Sequence, residues 1–209
     1  MTQKLLIATR NRGKLREFQA LFRDVPDIEL VSLDDAPNAP ADVVEDGETF
    51  LANAEKKATE VALATGMLTL ADDSGLEVDA LGGQPGVHSA RYAGAHGDDG
   101  ANNRLLLERM TNVPREKRSA RFRCVLVFAD PSSGAVCTTL HSDGAWEGSI
   151  AYEERGSEGF GYDSLFVSEG ETRTNGELTP AEKNARSHRA LAAAKMARIV
   201  AQYLAAKSA

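Results

Sequence analysis

Residues 68–81 read LTLADDSGLEVDAL. The apolar run Leu68, Thr69, Leu70, Ala71 predicts a buried strand. Two adjacent acids follow, Asp72 and Asp73, and then Ser74 and Gly75. That ending places carboxylates at the edge of a sheet, where the backbone turns tightly around a ligand. Neighbouring carboxylates repel one another, so they need water, a capped turn or a cation. The stretch alone admits two readings: an ordinary turn after a strand, or an acidic site at the strand's end.

Upstream, residues 4–9 (KLLIAT) form a short apolar strand and residues 9–14 (TRNRGK) a polar, Gly-containing turn. Leu15, Phe18, Leu21 and Phe22 then recur at helical spacing. A turn between strand and helix sits at a helix N-terminus, where N–H groups and the dipole attract anions. Arg10, Arg12, Lys14 and Arg16 add positive charge there, either for phosphate or as solvated side chains. Residues 24–46 are loop-rich, with a second short strand over 28–33. Residues 49–64 form a long helix with Thr49 as N-cap and Gly66 just past its end. Asn53 and Lys57 share one face of it.

Downstream, residues 82–86 (GGQPG) are a turn cluster. Asn102 to Met110 predict a short helix, with Leu105, Leu106 and Leu107 turned inward. Residues 121–129 and 135–142 form a hairpin, and residues 144–150 a further strand. His88 and His96 lack partners at metal-ligand spacing, and His141 sits in the hairpin. In GSEGFGYDSLF (156–166), glycines flank Phe160. Phe160 either stacks on a flat ligand or fills a core beneath a tight loop. Thr179-Pro180-Ala181-Glu182 is a complete capping box, opening a helix that runs to about Lys207. Lys183, Ser187, His188 and Arg189 crowd its first turns. Helices and strands alternate early and strands cluster later, which predicts an α/β protein with a mixed sheet.

The chain has 209 residues, enough for one domain with a real core. With 42% hydrophobic and 26% charged residues it has a globular composition, not a disordered one. A net charge of -7 excludes a general nucleic-acid binder, but a local basic pocket still suits a small anion. No signal-peptide pattern and no run of transmembrane length are present, so a cytoplasmic protein with no membrane partner is expected. Cys124 and Cys137 show no metal spacing and are expected as buried free thiols. The patterns GxxxxGK[ST], GxGxxG, GxSxG and HExxH are all absent. What remains is a set of parts for a nucleoside triphosphate: acids for Mg²⁺, basic groups for phosphates, an aromatic for the base.

Together these motifs resemble the inosine/xanthosine triphosphate pyrophosphatases. The matching residues are Thr9-x-Asn11-x-x-Lys14, Glu45-x-Gly47-x-Thr49-Phe50, Asn53-Ala54, Lys57-Ala58 and residues 71–76 (ADDSGL). Pro85-Gly86, residues 89–92 (SARY), residues 159–163 (GFGYD), Glu182-Lys183 and residues 187–189 (SHR) complete the set. They span nearly the whole chain in order. The resemblance implies residues 1–209 as a single two-lobed domain, an elongated α/β fold with a long central mixed sheet and lobes flanking a nucleotide-binding cleft. It implies a homodimer, a Mg²⁺ cofactor, and hydrolysis of ITP, dITP and XTP to the monophosphate and pyrophosphate. By motif, Thr9, Arg10, Asn11, Arg12, Gly13, Lys14 and Lys57 would hold the triphosphate. Glu45 and Asp73 would bind Mg²⁺ with support from Asp72, and Asp73 would be the general base. Ser74 would contact substrate, and Phe160, Gly161, Tyr162 and Asp163 would frame the base. Lys183, His188 and Arg189 would reach the nucleotide, including its 6-oxo edge. Two positions depart from the family pattern: Ser164 where Pro is usual, and Ala52 where Glu is frequent. The alternatives are a relative acting on modified pyrimidine nucleotides and a non-catalytic nucleotide sensor. The purine reading is favoured by the SHR and FGYD motifs, and catalysis by Glu45, Asp72 and Asp73.

Overall fold

The computed structural model describes residues 2–23 and 25–207. Asp24, where the loop-rich stretch is expected to begin, lies outside them. The elements run β1 (Gln3–Ile7), α1 (Arg12–Leu21), β2 (Ile28–Ser32), α2 (Phe50–Thr65), β3 (Thr69–Val78), α3 (Asp99–Arg109), β4 (Ser119–Asp130), β5 (Thr138–Ile150), β6 (Phe166–Ser168), α4 (Pro180–Asn184) and α5 (His188–Lys207). The sheet order is β2-β1-β3-β4-β5-β6. Strand β1 pairs parallel with β2 and β3, and β5 pairs antiparallel with β6. The fold is α/β with a mixed sheet, as the alternation of elements predicts.

The chain divides into two compact units. The first takes the described residues of Met1–Asp73, Cys124–Gly144 and Ala190–Ala209, and the second takes Ser74–Arg123 and Ala145–Arg189. Each has its own core. In the first, Leu5, Ile7, Leu70, Leu126 and Phe128 of the strands pack with Phe18 of α1 and with Ala192, Met196 and Val200 of α5. The four-residue spacing on α5 lines up one apolar face. In the second, Leu76 and Val78, Ala120 and Phe122, and Trp146 and Ile150 enter the core at strand period, against Leu106 and Met110 around α3.

The structure corrects several sequence expectations. Strand β3 does not end at the acids; it runs through Asp72-Asp73-Ser74-Gly75 to Val78 and lies between β1 and β4. The apolar Leu76 and Val78 resume the alternation beyond the acids and carry the strand onward. Residues 138–150 form one strand, with no break at Gly144. Of the three leucines on α3 only Leu106 is buried, because consecutive helix positions turn away from one another. The C-terminal helix is two helices, since residues 185–187 break it and start α5 at His188. Both cysteines are free; Cys124 is buried as expected, but Cys137 is only half-buried and precedes β5.

Two polar contacts tie these cores down. In the second unit the buried Arg118 donates to four carbonyls, those of Ile150 (2.8 Å), Ala151 (2.9 Å), Met110 (2.8 Å) and Val113 (3.3 Å). Its guanidinium lies 4.3 Å from the Tyr152 ring centroid. In the first unit Asp130, 1% exposed, accepts from Tyr203 at 3.0 Å and Lys207 at 2.5 Å. Burial pushes its carboxyl up, but Lys207, the Ser132 backbone and hydroxyl, and Tyr203 bring it down to about 2.

Two predictions follow from this packing. A carboxyl held below its ordinary range contributes stability above the ordinary value, and that stability is lost as pH falls toward the lowered one. The stability gap between wild type and Asp130→Asn, measured by urea unfolding, is therefore expected to shrink between pH 4 and pH 2. With Lys207 half-exposed, the gap is on the order of 1 kcal/mol near neutral pH. Gly156 has φ +74°, and a Cβ there would sit 2.0 Å from the Gly176 carbonyl oxygen. Gly156→Ala is expected to cost about 2 kcal/mol, read as a fall in Tm; an unchanged Tm would contradict the close approach.

Candidate active site

In the first unit, Asn11 caps α1. Its Oδ1 accepts from the Gly13 N–H at 2.8 Å and the Lys14 N–H at 3.1 Å. Asparagine is a strong N-cap, so these two amides, expected to face an anion, already have an acceptor. Thr9 Oγ1 in turn accepts from the Asn11 N–H. Arg10 bonds Asp34 at 2.6 Å and the carbonyls of Pro40 and Ala41. It thereby straps the 34–41 loop, while Arg12 is exposed. The residue of this turn that reaches the acids is Lys14, whose Nζ lies 2.9 Å from Asp72 Oδ2.

Helix α2 supplies the other side. Thr49 caps it, accepting from the Ala52 N–H at 3.1 Å; with Ala at position 52 there is no reciprocal carboxylate, and the hydroxyl caps alone. One turn on, Asn53 donates from Nδ2 to Asp73 Oδ2 at 2.9 Å, and its Oδ1 accepts from the Gly47 N–H at 2.7 Å. One turn further, Lys57 forms a salt bridge with Glu45. Asp72 and Asp73 are 2% and 5% exposed. Glu45, Asp72, Asp73, Lys14 and Lys57 therefore form one electrostatic group.

Its pKa shifts show the coupling. Burial pushes the Lys57 ammonium down, but Asp72, then Glu45, then Asp73 outweigh it and hold it above its ordinary range. Burial, aided by the charge of Glu45, pushes the Asp73 carboxyl above its ordinary range, although Lys14, Asn53 and Lys57 oppose this. The acidic members of the group are Glu45, Asp72 and Asp73. The donors are all oxygen, which suits a hard divalent cation that keeps several waters and takes only one or two protein carboxylates. Among the described residues, no group of three or more His, Cys, Asp or Glu side chains is placed to hold a metal ion.

In the second unit, the 159–163 loop is built around Asp163, 2% exposed. Its carboxylate accepts from the Phe160 N–H at 2.9 Å, Lys183 Nζ at 2.6 Å and Asn175 Nδ2 at 3.3 Å. A Cβ on Gly159 would lie 2.2 Å from Asp163 Oδ2, and Gly159 has φ +80°, so only glycine fits. Phe160 is half-exposed. Lys183 Nζ lies 4.8 Å from its ring centroid and the Arg189 guanidinium 5.6 Å. Arg189 Nη2 also donates to Ser74 Oγ at 2.9 Å. Tyr162 is different: it is buried in the core, and its hydroxyl donates to the Ser89 carbonyl at 2.9 Å. His188 stacks on Phe122 with centroids 4.8 Å apart and planes 12° apart.

The structure thus gathers the sequence candidates into two clusters, one per unit. Lys14, Glu45, Lys57, Asp72 and Asp73 form the first; Ser74, Phe160, Asp163, Lys183 and Arg189 form the second. Asp73 and Ser74 are consecutive residues of β3. Sequence reasoning missed Asn53 as the orienter of Asp73, although its position one turn before Lys57 was a signal. It also missed Asn175, which sits in a turn without periodicity and carried none.

The chain matches the Ham1 family model over residues 5–199. It is 47% identical over 203 residues to a protein of Exiguobacterium sibiricum named dITP/XTP pyrophosphatase, covering 96% of this chain and 98% of that one. A Rhodopirellula baltica protein of the same name is 50% identical over 188 residues, covering 90% and 88%. Among solved structures, a HAM1 protein from Coxiella burnetii matches with TM-score 0.83 and 38% identity, covering 96% of this chain and all of that one. By sequence over nearly its full length and by fold, this chain belongs to the Ham1 family.

Proposed function

We propose that the protein is a nucleoside-triphosphate pyrophosphatase that hydrolyses the non-standard purine nucleotides ITP, dITP and XTP to the monophosphate and pyrophosphate. The observation that carries this reading is the grouping of the buried Asp72 and Asp73 with Glu45, Lys14 and Lys57. The names of the two relatives support it. The 209 residues act as one functional domain, with the first cluster serving the phosphates and the second the base.

Glu45 and Asp73, with Asp72 beside them, would hold Mg²⁺. When bound, the ion supplies charge stabilisation to the phosphate oxygens. Asp73 orients a water for in-line attack at the α-phosphorus and accepts its proton; burial holds its carboxyl above the ordinary range, which strengthens it as a base. Asn53 fixes the carboxylate through its 2.9 Å bond. Lys14 and Lys57 stabilise the charge that develops on the departing pyrophosphate, and the basic end of α1 attracts the triphosphate.

Phe160 offers a face for stacking. Lys183 and Arg189 carry donors and no acceptors, so they accept a 6-oxo purine and leave a 6-amino group mismatched. Asp163 holds Lys183 and the loop rather than the base itself, and Tyr162 and His188 pack beneath. No helix among the described residues is long and apolar enough to cross a membrane. Placement in the cytoplasm and assembly as a homodimer belong to the same proposal.

With Mg²⁺ and a panel of nucleotides, pyrophosphate is the expected direct product, with ITP, dITP and XTP the best substrates. Asp73→Asn is expected to lower kcat by about two orders of magnitude or more. Phe160→Ala is expected to raise KM for ITP with a smaller change in kcat. Release of orthophosphate alone would remove the proposed cleavage position. A fully active Asp73→Asn would remove its role as the base.

A further inference from the structure

Helix α3 is tied to the 159–163 loop by a set of contacts outside the two clusters. Asp99, at its first turn, accepts from the Gly161 N–H through Oδ2 at 2.7 Å. Asn103, four residues on and so on the same face, is 3% exposed. Its Nδ2 donates to the Gly161 carbonyl at 3.2 Å, to Glu154 Oε2 at 2.9 Å and to Ser164 Oγ at 3.2 Å. Ser164 Oγ in turn donates to Glu154 Oε2 at 2.7 Å. Both backbone groups of Gly161 are thus held by one helix. The Asn103 amide has a fixed orientation, because the Gly161 carbonyl can only accept. Its Oδ1 is buried without a hydrogen-bond partner among the described residues, a cost tolerated while the donor side holds the loop.

We infer that Asp99 and Asn103 are positioning residues for the Phe160 loop. With Ser164 and Glu154 they form a polar clamp that fixes the stacking face from behind. The clamp does the work that ring rigidity would do at position 164: Ser164 leaves the backbone freer than a proline would, and its hydroxyl recovers order by joining Asn103 to Glu154. Neither Asp99 nor Asn103 is among the residues assigned above to the nucleotide; both bond the loop instead. The inference rests on the reading above, in which the loop receives the base.

The test uses the full chain. Hydrogen exchange at the Gly161 amide is measured alongside KM and kcat for ITP and Tm, in wild type and in Asp99→Ala, Asp99→Asn and Asn103→Ala. Removing one bond of this kind is expected to raise KM about three- to tenfold, with kcat changed by less than about twofold and with faster exchange at Gly161. Asp99→Asn keeps a side-chain oxygen as acceptor and is expected to restore most of both effects. If Asn103→Ala fails to fold, Ser164→Ala removes the bridging hydroxyl alone and is expected to move the same readouts less. A lower Tm with unchanged KM and unchanged Gly161 exchange would reduce these residues to structural ones and overturn the inference. If wild type cleaves no purine nucleotide, the function proposed above falls, while Gly161 exchange still decides whether the clamp exists.

Discussion

The interior of the first unit holds the negative charge of two buried carboxylates, Asp72 and Asp73, grouped with Lys14, Lys57 and the half-buried Glu45. Apolar surroundings disfavour that charge, and the strain is visible in Asp73, whose carboxyl is pushed upward although two lysines and Asn53 oppose it. The first unit is arranged to carry this group. The apolar parts of β1 and β3 and the buried faces of α1 and α5 make a core firm enough to bury the acids. The turns capped by Asn11 and Thr49 then bring Lys14 and Asn53 against them. In the proposed reading, acids and lysines held side by side suit a cation taken up together with a polyanion.

The second unit solves a different problem, the presentation of one aromatic ring without burying it. Its carboxylate, Asp163, works inward rather than toward a ligand. It gathers Lys183, Asn175 and the Phe160 amide, which fixes the loop from within, while α3 fixes it from outside. The result is a half-exposed ring bordered by two cations. In the proposed reading such a surface would bind a base by stacking and reject one by unmatched donors, so rigidity would decide its selectivity as much as composition does.

Much of this was legible in the chain. The α/β class and the caps at Thr49 and Thr179 followed from local pattern; that Lys14, Glu45, Lys57, Asp72, Asp73, Phe160 and Lys183 belong together was implied by the family resemblance, and the pairs Lys14 with Asp72, Lys57 with Glu45 and Lys183 with Phe160 came from the structure. What escaped was context. LTLADDSG by itself does not distinguish a strand that stops at its acids from one that passes through them; the resumed alternation at Leu76 and Val78 and the flanking strands β1 and β4 carry it through. The capping box at Thr179 starts a helix but says nothing of the break at residues 185–187. Tyr162 looked like a partner for Phe160, yet burial sends its hydroxyl to the Ser89 carbonyl. Asn103 was invisible because a polar residue beside leucines on a helix reads as surface until the loop it holds is placed.

Arg118 joins the carbonyls after α3 to those ending β5, with no carboxylate in the set. Its charge is solvated by backbone carbonyls, much as water would solvate it, with the Tyr152 ring beside it. Local opening of α3 would strand that guanidinium part-way between two solvents, with too few carbonyls to replace the water it gave up. Small excursions of the helix are therefore penalised steeply, while complete unfolding, which returns the group to water, is not.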